Sequence, residues 1–369
     1  MDSAARSHAR RRRLLAIAGA VVLAALTTPA VAAMPLLQAT APRPAQPSTT
    51  AIPTSTSPRA DTRPRTPFPA FVLDKGRFTA FDAPGAVMQT GAAAINDLGK
   101  IAGNYIDADA AYHGFLRDRR GRFTTIDVPG ALATQPSDMN DRDQIVGTYS
   151  TTARQPQAPD ANPRGFLLDR GRFIRIDVPG ALQTRANGIN NRGQVVGEYV
   201  DAAGNFHGFL WDKGRFTTID VPGVAATSPL NINDLGQIVG GYVKDLTEQP
   251  LTIHGFQLDE GRITTFDALP GPFTFALGNN NRGQIVGFSA TGGVTDGGPI
   301  PTIRGFLLRK GVKGPITPIA FPGAPNTLPN GINDLGQIVG AYQNPDIPPN
   351  PQGTGMQPPN AMSAALAPR

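Results

Sequence analysis

One motif of eleven positions recurs six times in this sequence, and this repetition limits the available folds more than any other feature. The motif reads I-N-D-x-G-Q-I-V-G-x-Y, and its Asn returns at intervals of 43 to 53 residues. The copies lie at Ile95–Tyr105, Met139–Tyr149, Ile189–Tyr199, Ile232–Tyr242, Asn279–Phe288 and Ile332–Tyr342. A period of this length is typical of arrays in which each copy is one supersecondary unit.

A second motif, G-F-L-x-D-x-G-R-F-T-x-I-D-x-P-G, alternates strictly with the first. It begins at Phe71, Gly114, Gly165, Gly208, Gly255 and Gly305. Each motif contains two stretches rich in β-branched and aromatic residues, separated by turn residues such as Asn190-Asn191-Arg192-Gly193 or Asp212-Lys213-Gly214. Asn, Asp and Gly favour tight turns because they form local backbone bonds or adopt positive φ. The first motif therefore predicts strands a and b, and the second predicts strands c and d.

The two ends of the array predict how it closes. The first copy supplies only strands c and d (Phe71–Gly85), and the last supplies only strands a and b (Thr327–Tyr342). Four antiparallel strands in each period are typical of a propeller blade, and a blade shared by both ends leaves no open sheet edge. We therefore expect residues 70–343 to form an all-β, six-bladed β-propeller of four-stranded antiparallel blades, closed by a split N-/C-terminal blade. An open solenoid is the alternative.

The segments on either side of the array have a different composition. Residues 1–33 combine Arg10–Arg13, the apolar run Leu14–Leu26 and small residues before Met34, which predicts a cleaved signal peptide and a secreted, possibly surface-associated, protein. The apolar run is shorter than the roughly 20 residues that span a membrane, so no stable span is expected after cleavage. An uncleaved anchor is the alternative. Residues 34–69 are rich in Pro and Thr, and we expect a disordered linker there and a disordered tail at 344–369.

The repeats resemble the HAF-repeat family of predicted extracellular bacterial proteins. The resemblance covers about residues 70–343 and rests on the I-N-x-x-G-Q-I-V-G pattern and on His-Gly-Phe at 113–115, 207–209 and 254–256. Arg164 and Arg304 replace His in two copies, and Ala70 precedes Phe71 in the first. The resemblance implies an exported repeat protein and no particular activity.

Composition excludes several kinds of site. The chain has no cysteine, which excludes disulfides, zinc–thiolate sites and Cys nucleophiles. The net charge of +6 lies before the repeats, since residues 1–33 carry five Arg against one Asp and residues 34–68 carry four Arg against one Asp. The array itself is therefore not basic, and we expect no nucleic-acid partner. A closed propeller pairs its own edges, so a monomer is expected.

Repeated polar residues favour structural roles over chemistry. His113, His207 and His254 occupy the same repeat position in separate copies, too far apart for ligands of one metal ion. The repeated Asp residues would have the same environment in every copy, whereas catalysis requires a distinct one. We therefore predict no metal, no cofactor and no catalytic residue. The sequence also contains no G-x-S-x-G, P-loop or H-E-x-x-H motif.

Differences between the copies indicate where a ligand would bind. The connection between strands b and c is long at Ser150–Pro163, Val243–Ile253 and Ser289–Ile303, and these insertions would share one face of the disc. Neutral drift in exposed loops is an equally good explanation. The predicted binding residues are Arg154, Asp160, Lys244, Asp245, Glu248 and Asp296 in these loops, together with Arg185 near the channel mouth.

Two functions remain open from the sequence. One is an exported, non-catalytic binding or scaffold propeller that contacts the cell wall, a glycan or a protein. The other is a secreted propeller lyase or hydrolase acting on a polysaccharide. Sugar-binding propellers usually repeat an aromatic platform, and Trp211 is the only Trp and is not repeated, which argues against a lectin.

Overall fold

The computed structural model describes residues 64–155, 161–248, 251–291 and 302–347. All regular elements in these ranges are β-strands, in the repeating order expected from the sequence. The prediction of an all-β repeat protein is confirmed. In the same ranges there is no helix of the length and apolar character that would cross a membrane.

The strands fall into modules, each with strands a to d in that order. Module 1 contains β3 (Thr90–Ile95), β4 (Ile101–Ile106), β5 (Tyr112–Arg117) and β6 (Phe123–Ile126). Module 2 contains β7 (Ala133–Met139), β8 (Ile145–Ser150), β9 (Arg164–Asp169) and β10 (Arg172–Ile176). Module 3 contains β11 (Gln183–Ile189), β12 (Val195–Val200), β13 (Phe206–Asp212) and β14 (Arg215–Ile219).

Modules 4 to 6 repeat this order. Module 4 contains β15 (Ala226–Ile232), β16 (Ile238–Val243), β17 (His254–Asp259) and β18 (Arg262–Phe266). Module 5 contains β19 (Phe273–Asn279), β20 (Ile285–Thr291), β21 (Thr302–Leu308) and β22 (Ile316–Ile319). Module 6 joins the two ends of the array: β23 (Thr327–Ile332) and β24 (Ile338–Tyr342) pair with β1 (Ala70–Asp74) and β2 (Arg77–Phe81).

The sheets do not separate into six. Four sheets have four strands each, including the mixed-end sheet β2-β1-β24-β23, and the fifth sheet has eight strands. The eight-stranded sheet combines modules 3 and 4 because a single parallel pair, Phe206 with Ala226, connects β13 to β15. All other strand pairs are antiparallel neighbours within a module.

The hairpin turns form as the sequence predicts. In the turn between β13 and β14, Asp212 pairs with Arg215, and the two central residues Lys213 and Gly214 have φ of 50° and 88°. Positive φ at both central positions is the requirement of a type I′ turn, which matches the twist of the flanking strands. The same Asp-x-Gly spacing, with positive φ at both central residues, closes the c–d hairpins of modules 2, 3, 4 and 6, whereas modules 1 and 5 have longer turns in which only Gly121 and Gly311 have positive φ.

A closed cycle of asparagine side chains surrounds the axis. Each repeated Asn donates from Nδ2 to the backbone carbonyl of the equivalent Asn in the next module, at 2.9–3.2 Å. The last of these bonds runs from Asn333 back to Asn96. The members, all buried, are Asn96, Asn140, Asn190, Asn233, Asn280 and Asn333. Both ends of the array are therefore held in one ring of hydrogen bonds.

The core lies between neighbouring modules, where a repeated Gly and a repeated Phe meet. A Cβ at Gly197 would lie 1.9 Å from the carbonyl oxygen of Arg185 and 2.9 Å from the ring of Phe209, so only Gly fits. Phe209 is 1% exposed, and its cluster joins Val146 and Leu167 of module 2 to Val195 of module 3. The Gly of Q-I-V-G and the Phe of G-F therefore have a packing role here.

The antiparallel strands give the disc two distinct faces. The a–b and c–d turns lie on one face, here called the turn face, and the b–c and d–a connections lie on the other, the loop face. Both described ends of the chain lie on the loop face: Thr66 donates to Asp82 at 2.7 Å, and Asn344 donates from its backbone to Pro67 at 2.9 Å. Thr66 and Asn344 are buried, so the packed structure extends beyond the predicted boundaries at residues 70 and 343. Residues 1–33 lie outside the described part of the chain.

Candidate functional site

A second ring of side chains lines the turn-face end of the channel. The residue after each repeated Asn accepts, at Oδ1, a hydrogen bond from the backbone N–H of its counterpart in the preceding module, at 2.6–2.8 Å. The members are Asp97, Asp141, Asn191, Asp234, Asn281 and Asp334. This use of the carboxylates agrees with the structural role expected from their repetition.

The second ring is not symmetric. The amides of Asn191 and Asn281 each donate to the two flanking carboxylates, at 2.7–3.1 Å. The carboxylates of Asp334, Asp97 and Asp141 follow one another around the ring with no Asn between them. Burial raises the pKa of Asp97, and the charges of its neighbours raise it further against an opposing backbone hydrogen bond from Asp334. This arc is therefore the part of the second ring with the most adjacent carboxylates.

An axial cavity of about 80 Å³ lies inside these rings, and Asp138 projects into it from β7. Oδ2 of Asp138 accepts from the backbone N–H of Ile189 at 2.8 Å and from Nδ2 of Asn231 at 3.1 Å, so that the side chain joins modules 2, 3 and 4. Burial raises the pKa of Asp138 to about 7, although these donors and that of Met139 oppose the shift.

Sequence reasoning missed Asp138 because it does not belong to a repeated motif. The signal was present, however. Asp138 stands two residues before the repeated Asn of its module. At the same position the other modules have Ala94, Gly188, Asn231, Gly278 and Gly331. An acid at a position otherwise occupied by small or amide residues is a departure that marks the channel wall.

The described ranges contain no cluster of three or more His, Cys, Asp or Glu side chains arranged to hold a metal ion. Each histidine of the His-Gly-Phe motif is instead bonded within its own module. His207 contacts Asp220 through Nδ1 at 2.7 Å and stacks on Tyr199, and His113 and His254 make the corresponding contacts. Burial lowers the pKa of His113, but hydrogen bonds and charges from Asp127 and Asp107 outweigh this and leave the pKa raised.

Arg185 was predicted to lie just before strand a, near the mouth of the channel, but it lies inside strand a. It lies within β11, is 7% exposed, and its guanidinium is 3.6 Å from the carboxylate of Glu198 on β12. Its Nη1 also donates to Oε1 of Gln183, at 3.3 Å, which places this end of the side chain toward the loop face. Burial lowers the pKa of Arg185, and the charge of Glu198 opposes that change. Whether Arg185 binds a ligand stays a prediction.

The predicted loop residues occupy separate places on the loop face. Arg154 contacts the b–c loop of module 1, since its Nη1 donates to the carbonyl of Asp109 at 3.3 Å. In module 4, Asp245 accepts from the backbone and hydroxyl of Thr247 at 2.7–2.8 Å, and these hydrogen bonds lower its pKa.

The remaining predicted residues are exposed or not described. Lys244 and Glu248 are exposed in the module 4 loop, and Oε2 of Glu248 accepts from Thr252 at 3.3 Å. Asp160 and Asp296 lie outside the described residues. Arg154 thus contacts the module 1 loop, whereas Asp245 and Glu248 form hydrogen bonds within the module 4 loop, and a binding role for these residues stays a prediction.

The loop face also carries an apolar rim that the sequence analysis did not single out. Val87, Met88, Leu132 and Leu182 are 46%, 37%, 47% and 51% exposed. Leu132 and Leu182 directly precede the a strands and donate their backbone N–H groups to the ends of the b strands, at 2.8 Å. Because a strands are innermost, these side chains stand around the channel mouth of modules 1 to 3. The corresponding residues of modules 4 to 6 are the smaller Ala225, Pro272 and Pro325.

The sequence matches no family model and no curated protein. Among solved structures, the chain is similar to a putative TolB from Agrobacterium tumefaciens, with 10% identity, a TM-score of 0.50, and coverage of 75% of this chain and 98% of that one. It is also similar to TolB from Acinetobacter baumannii, with 14% identity, a TM-score of 0.45 and coverage of 74% and 63%. A third likeness is to the β-propeller domain of the Trilobed protease from Pyrococcus furiosus, with 11% identity, a TM-score of 0.39 and coverage of 66% and 76%.

The chain is an all-β repeat propeller. The identities are low, so the likeness to the putative TolB establishes the fold alone.

Proposed function

We propose that this protein is an exported, non-catalytic binding or scaffold propeller of the HAF-repeat kind that contacts an extracellular polymer or protein through its loop face. Export rests on the signal-like segment 1–33. The HAF assignment rests on the repeated motifs, whose Asn, Gly, Phe and His residues each have a packing or hydrogen-bonding role. We expect the protein to act as a monomer.

We also propose six blades, with modules 3 and 4 as separate blades and module 6 as the split blade. Two observations support this count. Both axial rings have six members and each returns to its starting residue. The connection between modules 3 and 4 is one bridge, compared with five or more paired residues between adjacent strands inside either module.

The observation that carries the binding proposal is the apolar rim on the loop face. Large apolar side chains that are half exposed and grouped around one channel mouth are typical of an interaction surface. The turn face also has exposed leucines, Leu98, Leu235 and Leu335, but each stands on its own a–b turn outside the closed rings formed by the repeated polar groups. The loop face also carries the connections whose length varies between modules.

Paired substitutions on the two faces test this proposal. Leu132→Ser with Leu182→Ser removes the two leucines of the rim and leaves Val87 and Met88. Leu98→Ser with Leu335→Ser is the matched control, because those leucines are 51% and 59% exposed on turn-face turns. The full exported chain would be screened against a displayed library of short peptides and an array of cell-wall fragments and polysaccharides. We expect probes that bind the wild type and the control but bind the rim variant about tenfold more weakly. Loss of binding in both variants, or in neither, would contradict a loop-face site.

One observation favours the alternative of a polysaccharide-cleaving enzyme. Asp138 has a carboxyl group that is half protonated near neutral pH, in an axial cavity shared with the ring carboxylates, and such a group can serve as a general acid. Against this, its side chain is 7% exposed and already accepts three hydrogen bonds. Release of reducing ends from any polysaccharide of the array by the wild type, and not by Asp138→Asn, would support the enzyme instead.

A further inference from the structure

One layer of side chains near the loop-face end of the channel changes character around the ring. It consists of the residues that face each other at one register position of each a–b strand pair. These pairs are Gly91 with Asn104, Gln135 with Thr148, Arg185 with Glu198, Ser228 with Gly241, Phe275 with Phe288, and Leu328 with Ala341. The layer is therefore polar or small in modules 1 to 4 and apolar in modules 5 and 6. The apolar rim stands at the mouth of modules 1 to 3, above the polar part.

Several polar atoms in this layer are buried without a hydrogen-bond partner among the described residues. They are Nε of Arg185, Oε1 of Glu198, Oδ1 of Asn104 and Oγ of Ser228. The four residues are between 3% and 7% exposed. Native proteins leave few buried polar groups unpaired, because each loses its hydration without compensation. A concentration of such atoms in one layer marks it as a place where water or a bound group can supply the missing hydrogen bonds.

Arg185 and Glu198 are also the only oppositely charged pair in this layer. The positions equivalent to Glu198 in modules 1, 2 and 4 are occupied by Asn104, Thr148 and Gly241. A pair of opposite charges is neutral overall, so it favours neither an anion nor a cation. Nε of Arg185 has no hydrogen-bond partner among the described residues, and Oε1 of Glu198 has the 3.6 Å ion-pair contact with Nη1 of Arg185 but no hydrogen bond, so each atom can form one more bond.

The pair is connected to the loop face through its own strand. Nη1 of Arg185 donates to Gln183, which is half-buried, and Gln183 follows the exposed Leu182 of the rim. From the loop face inward, the side chains of module 3 therefore come in the order Leu182 of the rim, Gln183 and Arg185 of the charged pair. A bound group that passes the rim would meet Gln183 first and the charged pair next.

We propose that the Arg185–Glu198 pair recognises a backbone peptide group of an extended polypeptide segment whose apolar side chains cover the rim. This inference rests on the proposed loop-face function and names its partner as a polypeptide. A peptide group supplies a carbonyl acceptor for Nε of Arg185 and an N–H donor for Oε1 of Glu198. A glycan fits less well, because the rim is aliphatic and Trp211 packs beside Phe209 and Val195 on β13, away from the loop face.

The test uses peptides selected for rim-dependent binding from the displayed library. Removing one member of the pair would leave a buried charge and could unfold the protein, so both are replaced, as Arg185→Met with Glu198→Met. We expect this double variant to keep its melting temperature and to bind the peptides about tenfold more weakly, since the peptide group loses both partners. Unchanged affinity in a folded double variant would overturn the inference and leave the pair with a structural role.

A second measurement does not depend on the variant folding. In wild-type protein labelled with ¹⁵N-arginine, the Nε–H signal of Arg185 should shift on saturation with a selected peptide. Arg122, whose Nε donates to Asp118 at 2.7 Å in the c–d turn of module 1 on the turn face, serves as the internal control and should not shift. No shift of Arg185 at saturation would also overturn the inference.

The two proposals fail in different ways. Rim-dependent peptides that leave Arg185 unaffected, or a rim-dependent polysaccharide with no rim-dependent peptide, would refute the peptide-group inference and retain the loop-face function. Probes that bind the wild type and the rim variant with equal affinity would refute the proposed function itself.

Discussion

Replacing Asp138 by Asn should change how the stability of this propeller depends on pH. The carboxyl group of Asp138 is buried in the axial cavity, and its pKa is about 7 in the folded protein against 3.8 for an unperturbed Asp. The folded state therefore binds this proton more tightly than the unfolded state. The stabilisation from this difference is complete below pH 3.8, is lost as the pH rises toward 7, and stays lost above that.

The magnitude follows from the shift. A difference of about 3 pKa units corresponds to about 4 kcal/mol between the protonated and ionised states. Between pH 5 and pH 6.5 the wild type should lose about 2 kcal/mol of its unfolding free energy through this one group, since the slope approaches 1.4 kcal/mol for each pH unit. Asp138→Asn has no proton to lose and keeps an oxygen for one of the donors Ile189 and Asn231. Its own cost is therefore independent of pH.

The assay is urea unfolding of wild type and variant at half-unit steps from pH 4.5 to 8. The unfolding free energy of the variant, relative to the wild type, should increase by about 2 kcal/mol between pH 5 and 6.5 and then level off near pH 7. Asp245→Asn is the control: hydrogen bonds to Thr247 lower the pKa of this exposed carboxyl, so its contribution to stability is complete above pH 3.8 and is lost only as the pH falls below that value, outside the range of the assay. Parallel curves for wild type and Asp138→Asn would refute the reasoning, because the carboxyl would then be as well solvated in the channel as in water.

Two other predictions concern the ring. Asn190→Ala removes four hydrogen bonds, with Arg192, Gln194 and Asn233, and should cost about 2–4 kcal/mol in urea unfolding; Asn205→Ala, whose bonds stay within an exposed turn with Asp201, should cost under about 1 kcal/mol, and equal costs would show that the ring adds nothing. Removing residues 34–63 from the mature chain should leave the melting temperature unchanged, whereas removing 34–81 deletes β1 and β2 and opens module 6; calorimetry showing the same melting temperature for both would contradict closure through the mixed-end sheet.

The strand order was predictable because each strand carries its own local signal. The turn at Asp212-Lys213-Gly214 needs two residues with positive φ, and an Asp-x-Gly sequence is typical of such a turn. The packing of Gly197 against Arg185 and Phe209 was predictable for a similar reason: a Gly that recurs at a fixed place between bulky residues indicates a close approach of backbones. Such properties depend on a few neighbouring residues, so a single sequence contains them.

The placement of Arg185 could not be predicted in the same way. Its distance from Glu198 depends on the register between β11 and β12, including an irregularity between Ala186 and Gly188 that shifts the pairing by one residue. An extra residue of this kind changes which side chains face each other, and no residue type marks it. Asp138 presents the same difficulty, since its partner Asn231 lies 93 residues away across the channel.

The two faces of the disc differ in how much change they tolerate, and this difference supports a ligand site on the loop face. On the turn face, Asn191 bonds to Asp141 and Asp234 at once, so replacing one residue disturbs three modules. On the loop face, the contacts of Asp201 with Asn205 or of Asp245 with Thr247 stay inside a single connection, and a change there leaves the ring intact. Binding residues can therefore diversify on the loop face without loss of the fold, as is typical of loops on a rigid scaffold. The apolar rim and the Arg185–Glu198 pair are differences between modules of this kind, and both lie toward that face.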